Sequence, residues 1–316
     1  MSNRGAGQAM GRQDMTILLL LAFVWGGSFF FQQVALRSIA PLTLVLGRTA
    51  LAAGLLWLFL WLRGTRLPLP PGAASAYLVL ALLNNVIPWI LFVHAQTQIS
   101  GGLASIFNAT TPIWGILVAH VLTADEKATP GKIAGVLLGF AGVGLMFVGR
   151  LRGGGDGSLL AELECLGATL AYALAGIWAR RFRTMGIDPV AVSTGQVTAA
   201  ALVMLPLVLL FEPPWHAAAM PTPAAWAALF ALAAISTSLG YVLYFRLIAS
   251  AGATNALLVT LLIPIPAILL GALVLGDRLA PRHFAGMALI AAGLAAIDGR
   301  LFRRLRLSPE RVMPAE

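Results

Sequence analysis

The sequence predicts an all-α polytopic membrane protein in which ten transmembrane helices form two inverted five-helix repeats around a central cavity. Three observations support this fold class: the composition, the length of the apolar blocks and an internal repeat. Of the 316 residues, 59% are hydrophobic and 10% are charged, and the mean hydropathy is +0.88. A soluble chain carries about 25% charged residues, so this composition excludes an ordinary soluble domain.

Apolar blocks of about twenty residues follow one another along the chain, which is the helix length that crosses a hydrocarbon core about 30 Å thick. Backbone groups cannot stay unpaired in lipid, and the hydrophobicity does not alternate as it does in a barrel, so each block is expected to be a helix. The first block is too long for a signal peptide and is expected to be retained. The predicted spans are residues 16–36, 41–62, 76–97, 102–122, 131–149, 159–180, 189–211, 225–247, 253–275 and 281–298.

A glycine-rich break at residues 150–158 divides these spans into five and five. Residues 101–148 align without a gap with residues 252–299, and the earlier spans match at a slightly different offset, which places Gln196 where the first half has Arg48. Each half is therefore expected to be one copy of an ancestral unit. The predicted organisation is a cytoplasmic tail 1–15, a first repeat 16–149, an external linker 150–158, a second repeat 159–298 and a basic cytoplasmic tail 299–316.

An odd number of spans in each repeat implies that the second copy enters the membrane from the opposite side. The matching connectors around Glu126–Lys127 and Asp277–Arg278 are therefore expected in the cytoplasm and outside, respectively. With the N-terminus inside, internal segments hold fifteen Lys and Arg residues and external segments hold five, with Arg48 inside a span. This bias predicts a protein of the inner (plasma) membrane with both termini in the cytoplasm. Inverted repeats with a site near the midplane are typical of secondary transporters.

Several segments resemble the EamA family of the drug/metabolite transporter superfamily. The stretch LGDRLAPRHFAGMALIAAGLAAI (275–297) is similar to the closing pattern of that family, and TADEKATPGKIAGVLLGFAGVGLMFV in the first half is similar to it as well. WGGSFFFQQVAL (25–36), followed by Pro41 and Arg48, looks like the opening pattern. Within the family the chain looks most like YddG-type amino-acid exporters. The resemblance implies a ten-helix fold whose cavity is lined mainly by the first four helices of each repeat, with the fifth and tenth helices peripheral.

Polar and aromatic residues recur at helical spacing on several spans, which predicts faces directed toward a shared space. Polar side chains at membrane depth are costly unless they meet a partner or a water-filled cavity, although Ser, Thr and Asn also join helices directly. We prefer the cavity because five spans carry such faces. The candidate substrate-binding residues are Trp25, Ser28, Gln32, Arg48, Asn85, Trp89, Asn108, Thr111, Tyr172, Tyr241 and Tyr244.

Arg48 is a base well inside a predicted span, and two interpretations of it stay open. Its guanidinium can bind a substrate carboxylate, or the side chain can extend outward to the membrane surface. The aromatic residues of the candidate set can hold an apolar side chain or face an ammonium group. Three prolines within spans, Pro88, Pro112 and Pro264, interrupt helix hydrogen bonding and are candidate hinges, with static kinks as the alternative. Gly131, Gly135 and Gly139 form a small-residue ridge that predicts close helix packing.

Other classes of function fit less well. The sequence has no HExxH motif, no phosphate loop and no thiol-pair or zinc motif, since Cys165 is its single cysteine, so neither an enzyme nor a bound metal or cofactor is expected. The charge of +9 lies mostly between spans, which argues against nucleic acid as a partner. The expected partners are a small-molecule substrate and membrane lipids, and a monomer is compatible with the sequence. Glu162 and Glu164 are expected at a wetted helix end and His94 as a packed neutral ring.

These observations predict an exporter of small metabolites, above all amino acids with hydrophobic or aromatic side chains, that works by alternating access. The alternative is a multidrug or other metabolite exporter of the same superfamily. A receptor or scaffold would leave the inverted duplication without a reason.

Overall fold

The computed structural model describes residues 11–124, 128–151, 158–213, 220–251, 256 and 259–298. Helices and connectors account for all of these described residues, and no strand occurs among them. Helical segments that follow one another within one predicted span are treated as one helix. The helices are α1 (Arg12–Ala35), α2 (Pro41–Leu62), α3 (Ala73–Ala95), α4 (Gly101–Leu122), α5 (Pro130–Leu151), α6 (Leu159–Thr184), α7 (Pro189–Phe211), α8 (Pro223–Ala251), α9 (Val259–Leu275) and α10 (Pro281–Asp298).

Seven of these helices, α1 to α4 and α6 to α8, are long and apolar enough to cross a membrane. Shorter apolar helices are Pro130–Met146 within α5 and Val259–Leu275, which is α9. The prediction of an all-helical, membrane-spanning chain is thus confirmed, while α5, α9 and α10 as spans remain predictions. Helix ends differ from the predicted ends by at most four residues, except at the start of the ninth span, where residues 252–255 and 257–258 lie outside the described part.

Some predictions concern residues that the structure does not describe. These are the Glu126–Lys127 connector, residues 152–157 of the linker 150–158, the tail 299–316 and residues 1–10 of the N-terminal tail.

Local sequence explains where most helices begin. Proline is favoured at the first helical position because its missing N–H is not needed there and its φ angle already suits a helix. Side-chain caps start other helices, as where Ser100 Oγ accepts a hydrogen bond from the backbone N–H of Leu103 at the start of α4. The helices that begin at a proline are α2 (Pro41), α5 (Pro130), α7 (Pro189), α8 (Pro223) and α10 (Pro281).

Helices of the two halves interleave. In the described residues α1 packs against α8 and α9 of the second half, and α6 packs against α3 and α4 of the first half. Helix α2 contacts α7 and α8, and α7 contacts α3. The α1–α9 approach requires glycine, because a Cβ at Gly26 would lie 2.6 Å from the carbonyl oxygen of Ile263. Helices α1 to α4 each contact at least two helices of the second half within the described residues.

Helices α2 and α7 run antiparallel. Glu212, just after α7, accepts hydrogen bonds from the N–H groups of Leu42 (3.0 Å) and Thr43 (2.7 Å) at the start of α2. Further along α2, the Trp57 indole donates to Thr198 Oγ1 at 3.0 Å. Since early α2 meets the end of α7 and late α2 meets its middle, the helix directions are opposite. The Glu212 carboxylate also suits the positive end of the α2 dipole.

Helices α5 and α10 meet through glycines. A Cβ at Gly142 would lie 2.6 Å from the Gly286 oxygen, and a Cβ at Gly286 would lie 2.7 Å from the Gly142 oxygen. A Cβ at Gly293 would lie 2.5 Å from the Gly135 oxygen. Because Gly135 faces Gly293 and Gly142 faces Gly286, these helices are antiparallel as well. The expected ridge therefore packs at Gly135, but at Gly131 it does not, since an added Cβ there would meet nothing within 4 Å.

Candidate functional site

Arg48, near the middle of α2, lies inside the bundle, and its side chain is 6% exposed. Its Nε donates a hydrogen bond to Thr237 Oγ1 of α8 at 2.9 Å. Its guanidinium carbon lies 3.6 Å from the centroid of the Trp89 ring on α3. The side chain therefore points between the two halves and does not extend outward to the surface. A guanidinium over a desolvated indole ring gains about 2 kcal/mol or more.

The charge of Arg48 has no ion-pair partner among the described residues. Its two Nη nitrogens likewise have no hydrogen-bond acceptor within that part of the chain. Removing a cation from water costs several kcal/mol, and an arginine kept inside a protein normally meets an anion. The arrangement is therefore chemically incomplete, and it suits a ligand that brings its own negative charge.

A hydrogen-bond network borders Arg48. Asn85 Nδ2 donates to the Tyr241 hydroxyl oxygen at 3.0 Å, and Asn84 Nδ2 donates to the same oxygen at 3.4 Å. Asn84 Nδ2 also donates to Gln196 Oε1 at 3.0 Å. Tyr172 of α6 packs against the apolar cluster that contains Trp89. The network and its neighbours thus join α2, α3 and α6 to α7 and α8.

Two π-helical segments position this network. Asn84 and Asn85 lie in the segment Leu82–Val86 of α3, and Thr237 lies in the segment Leu232–Leu239 of α8. A π turn holds more residues than an α turn, so neighbouring side chains such as the two asparagines can reach the same place. Thr237 Oγ1 also donates to the Leu232 carbonyl oxygen five residues earlier, at 2.9 Å, which fits the wider turn. Such segments are frequent at functional sites.

Aromatic rings continue from both sides of the polar network. Phe92, whose ring centroid is 6.2 Å from that of Tyr172, packs edge-on against Phe29 at 5.5 Å. On the other side the Trp25 and Tyr244 centroids are 5.1 Å apart. Phe245 joins the two tyrosines of α8, with centroid distances of 6.4 Å to Tyr241 and 5.5 Å to Tyr244. Trp25, Tyr172, Tyr241 and Tyr244 stay partly exposed although they lie among helices, so they border accessible space.

Of the predicted site residues, Arg48, Asn85, Trp89, Tyr172 and Tyr241 come together in the structure, and Trp25 and Tyr244 adjoin them through the aromatic chain. The others lie apart. Gln32 Nε2 donates to Ser28 Oγ at 3.5 Å on α1. Asn108 and Thr111 flank a break in α4, where Thr111 Oγ1 donates to the Asn108 carbonyl oxygen at 2.7 Å. No described hydrogen bond or ring contact joins these four residues to Arg48.

The three candidate hinge prolines stand where helical regularity changes. Pro88 follows the π-helical segment of α3, Pro112 follows the break of α4, and Pro264 follows an irregular turn at Ile263 in α9. Each occupies one of the first two positions of a new helical segment, where proline costs no hydrogen bond.

The expected environment of the charged helix ends needs correction. His94 Nδ1 lies 2.8 Å from Glu164 Oε1 and 2.9 Å from Oε2, which links α3 to α6. The His94 side chain is 46% exposed, so it is not a packed ring. Glu162, expected at a wetted end, is 3% exposed. The cause is the α3–α6 contact, which covers the start of α6 and brings a base to one of its acids.

Three residues of the network were absent from the predicted set. Asn84 neighbours a predicted residue, but regular α-helical spacing directs it away from Asn85. Thr237 precedes the predicted Tyr241 and Tyr244 by four and seven residues, the spacing of one helical face. Gln196 stands at the position that matches Arg48. The only sequence signal for Gln196 was this match between the repeats. In the structure the match is reciprocal, because Arg48 of α2 contacts α8 and Gln196 of α7 contacts α3.

Comparison with known proteins supports membrane transport. Protein PagO of Salmonella typhimurium is 25% identical over 82% of this chain and 84% of its own length. The uncharacterized transporter YoaV of Bacillus subtilis is 22% identical over 88% and 94% of the two chains, and the uncharacterized inner membrane transporter YedA of Escherichia coli is 24% identical over 89% of each. One solved crystal structure shares the fold, with a TM-score of 0.67 at 18% identity over 95% of this chain and 100% of the other.

The model of one family, described as the EamA-like transporter family, matches both residues 14–148 and residues 159–297. These two matches cover most of the chain. This multi-pass membrane protein therefore belongs to the EamA-like transporter family.

Proposed function

We propose that this protein exports small metabolites, above all amino acids with hydrophobic or aromatic side chains, across the inner membrane by alternating access. The observation that carries the proposal is the position of Arg48. A cation without an anionic partner in the described residues is held between the two halves, beside partly exposed aromatic rings. A carboxylate on Arg48 and an apolar side chain among the rings would complete both parts of this arrangement.

We further propose that the halves are inverted five-helix repeats, residues 16–149 and 159–298. One family model matches each half separately, which supports the duplication. Helices α5 and α10 are counterparts in the two repeats, and so are α2 and α7. Counterparts would be parallel if the repeats shared one orientation, but both pairs are antiparallel. The inversion accounts for these directions and for the reciprocal glycine contacts of α5 and α10.

Alternating access needs helices that can bend near the site. Irregular backbone occurs in α3, α4, α8 and α9, at the π-helical segments and beside Pro88, Pro112 and Pro264. These helices contact α1 and α6 of the opposite repeat. We propose that a change at these positions moves α3 and α4 relative to α6, and α8 and α9 relative to α1, and so opens the site to one side at a time.

The bias of Lys and Arg toward one set of connectors supports an orientation with both termini in the cytoplasm. Relatives named as inner membrane transporters support the location. Export toward the outside is the direction that the resemblance to amino-acid exporters implies.

Overexpression in bacterial cells that are fed dipeptides, which raise the internal amino-acid concentration, tests the function. Cells that produce the protein should release phenylalanine, leucine or related amino acids into the medium faster than cells without it. Trp25→Ala should lower this release at least severalfold while folded yield stays near normal. Trp226→Ala is the matched control, since that ring is 49% exposed on α8 and lies outside the site. Equal release from producing and non-producing cells, for every amino acid, would reject the proposal.

A further inference from the structure

Arg48 presents unused hydrogen-bond donors. Its Nε is bound to Thr237, and Trp89 covers one face of the guanidinium. The Nη nitrogens at the remaining edge have no acceptor among the described residues. Two parallel N–H groups at the edge of a guanidinium match the two oxygens of a carboxylate, and this bidentate geometry is stronger than a single contact.

Tyr241 adds a further donor near the same place. Its hydroxyl oxygen accepts hydrogen bonds from Asn85 Nδ2 and Asn84 Nδ2. A hydroxyl has two acceptor lone pairs and one proton, so the proton of Tyr241 remains to be donated. Tyr241 follows Thr237, the hydrogen-bond partner of Arg48, by four residues on α8, so the two side chains lie on the same side of that helix. A ligand bound at the Arg48 Nη groups would then have a hydroxyl donor on the neighbouring helix.

No matching acid accompanies this cation. The ion pair found among the described residues joins His94 and Glu164 at the ends of α3 and α6, and Arg48 takes part in no ion pair there. The residues that contact Arg48, Asn85 and Tyr241 in the described part of the chain are neutral. The site can therefore neutralise a carboxylate, but it offers no carboxylate to an ammonium group.

We propose that this site recognises its substrate as a monocarboxylate, through Arg48 Nη and the Tyr241 hydroxyl, and makes no ion pair with a substrate amino group. The inference rests on the proposed function and names the charge class of its substrate. A carboxylic acid without the amino group, with the same side chain, then binds better than the amino acid. When a cation binds the carboxylate of an amino acid, the ammonium group of the amino acid lies about 5 Å from that cation. At an effective dielectric of about 20, the repulsion between these like charges lowers the affinity more than tenfold.

Binding of three small molecules to the detergent-purified protein tests this proposal. L-Phenylalanine carries both charged groups, 3-phenylpropionate lacks the ammonium, and 2-phenylethylamine lacks the carboxylate. Calorimetric titration should give 3-phenylpropionate an affinity at least tenfold higher than that of L-phenylalanine, with no measurable binding of 2-phenylethylamine. Arg48→Gln, which installs the residue of the matching position in the second half, should weaken 3-phenylpropionate binding at least tenfold.

Arg181→Gln is the matched control. Arg181 also stacks on a tryptophan, with its guanidinium carbon 3.5 Å from the Trp178 ring centroid, but it is exposed near the end of α6. This variant should bind all three compounds as the wild type does. If Arg48→Gln fails to fold, Tyr241→Phe removes a single hydroxyl and should by itself weaken 3-phenylpropionate binding severalfold.

Three results would overturn the inference while leaving amino-acid export intact. The first is binding of 2-phenylethylamine as tight as that of L-phenylalanine, and the second is binding of L-phenylalanine that exceeds that of 3-phenylpropionate. The third is binding of 3-phenylpropionate to Arg48→Gln that equals its binding to the wild type. Where Arg48→Gln does not fold, the same result with Tyr241→Phe overturns the inference. Failure of the wild type to bind any of the three compounds would reject both this inference and the apolar-side-chain part of the proposed function.

Discussion

The guanidinium carbon of Arg48 lies 3.6 Å from the centroid of the Trp89 ring. The cation of α2 is thus held against α3 of the first half, and its hydrogen bond to Thr237 directs it toward α8 of the second half. This contact and the Thr237 hydrogen bond fix the position of a charge that has no anionic partner in the described residues. A fixed cation inside the protein attracts an anionic ligand more strongly than a cation at the surface does, because water screens its charge less.

Gly142→Leu should prevent close contact of α5 and α10 and lower the folded yield. The added Cβ alone would lie 2.6 Å from the Gly286 oxygen, which is backbone and cannot rotate away. Overpacking of a tight contact costs about 1–3 kcal/mol or more. Gly131→Leu is the control on the same helix, since its Cβ meets nothing within 4 Å. Size-exclusion chromatography in mild detergent measures both yields, and equal yields would contradict the packing account.

Lys127→Cys and Arg278→Cys should be labelled from opposite sides of the membrane. These residues occupy matching positions in the two repeats, and an inverted repeat places them on opposite faces. With Cys165 replaced by alanine, an impermeant thiol reagent added to intact cells should modify the cysteine at position 278 and not that at position 127. Permeabilised cells, in which both should react, provide the control. Labelling of both cysteines, or of neither, in intact cells would contradict the inverted-repeat architecture.

Asp277→Asn should change how stability depends on pH. Asp277 lies between α9 and α10, and its Oδ1 accepts a hydrogen bond from Gln33 Nε2 at 3.1 Å. Burial raises the pKa of the Asp277 carboxyl, although the Gln33 hydrogen bond and the charge of Arg37 oppose the rise. The folded state therefore holds this proton more tightly than the unfolded state. The resulting stabilisation is fully present below the unfolded pKa of about 3.9 and is lost as pH rises through the folded-state pKa.

The Asn variant keeps an oxygen that can accept from Gln33 but has no proton to lose. Its Tm relative to the wild type should therefore rise as pH increases above about 4. Thermal unfolding of the detergent-purified proteins over a series of pH values measures this difference. Parallel curves for the two proteins, or a difference of the opposite sign, would contradict the account.

An imposed pH gradient should not concentrate substrate in liposomes. Proton-coupled carriers usually place a carboxylate or histidine at membrane depth, whereas His94, Glu162 and Glu164 lie in the last turn of α3 and near the start of α6. We therefore expect substrate to run down its own gradient. Uphill accumulation driven by pH, if abolished by Glu164→Gln or His94→Ala, would identify the His94–Glu164 pair as a proton site.

Helix positions were predictable because hydrophobic blocks and starting prolines are local signals. The α2 helix, for example, begins at Pro41 and ends at Leu62 as predicted. The polar network was only partly predictable. Asn84 joins it because the π-helical segment departs from the regular spacing used to choose faces, and hydropathy does not reveal such a segment.

Contacts between distant segments were the least predictable feature. The His94–Glu164 pair joins residues seventy positions apart on different helices, and neither residue carries a local signal for the other. The same limit applied to Arg48, for which an outward and an inward orientation fitted the sequence equally. The choice depends on Trp89 and Thr237, which belong to different helices.

Efflux of labelled L-phenylalanine from liposomes containing the purified protein tests the central claim, that substrate crosses the membrane through the site around Arg48. The wild type and Arg181→Gln should release the label at equal rates, well above the rate of protein-free liposomes. Arg48→Gln, reconstituted at the same density of folded protein, should fall at least tenfold, toward the protein-free rate. Efflux by Arg48→Gln equal to that of the wild type would show that substrate does not use this site, and a wild type no faster than protein-free liposomes would contradict transport of this amino acid.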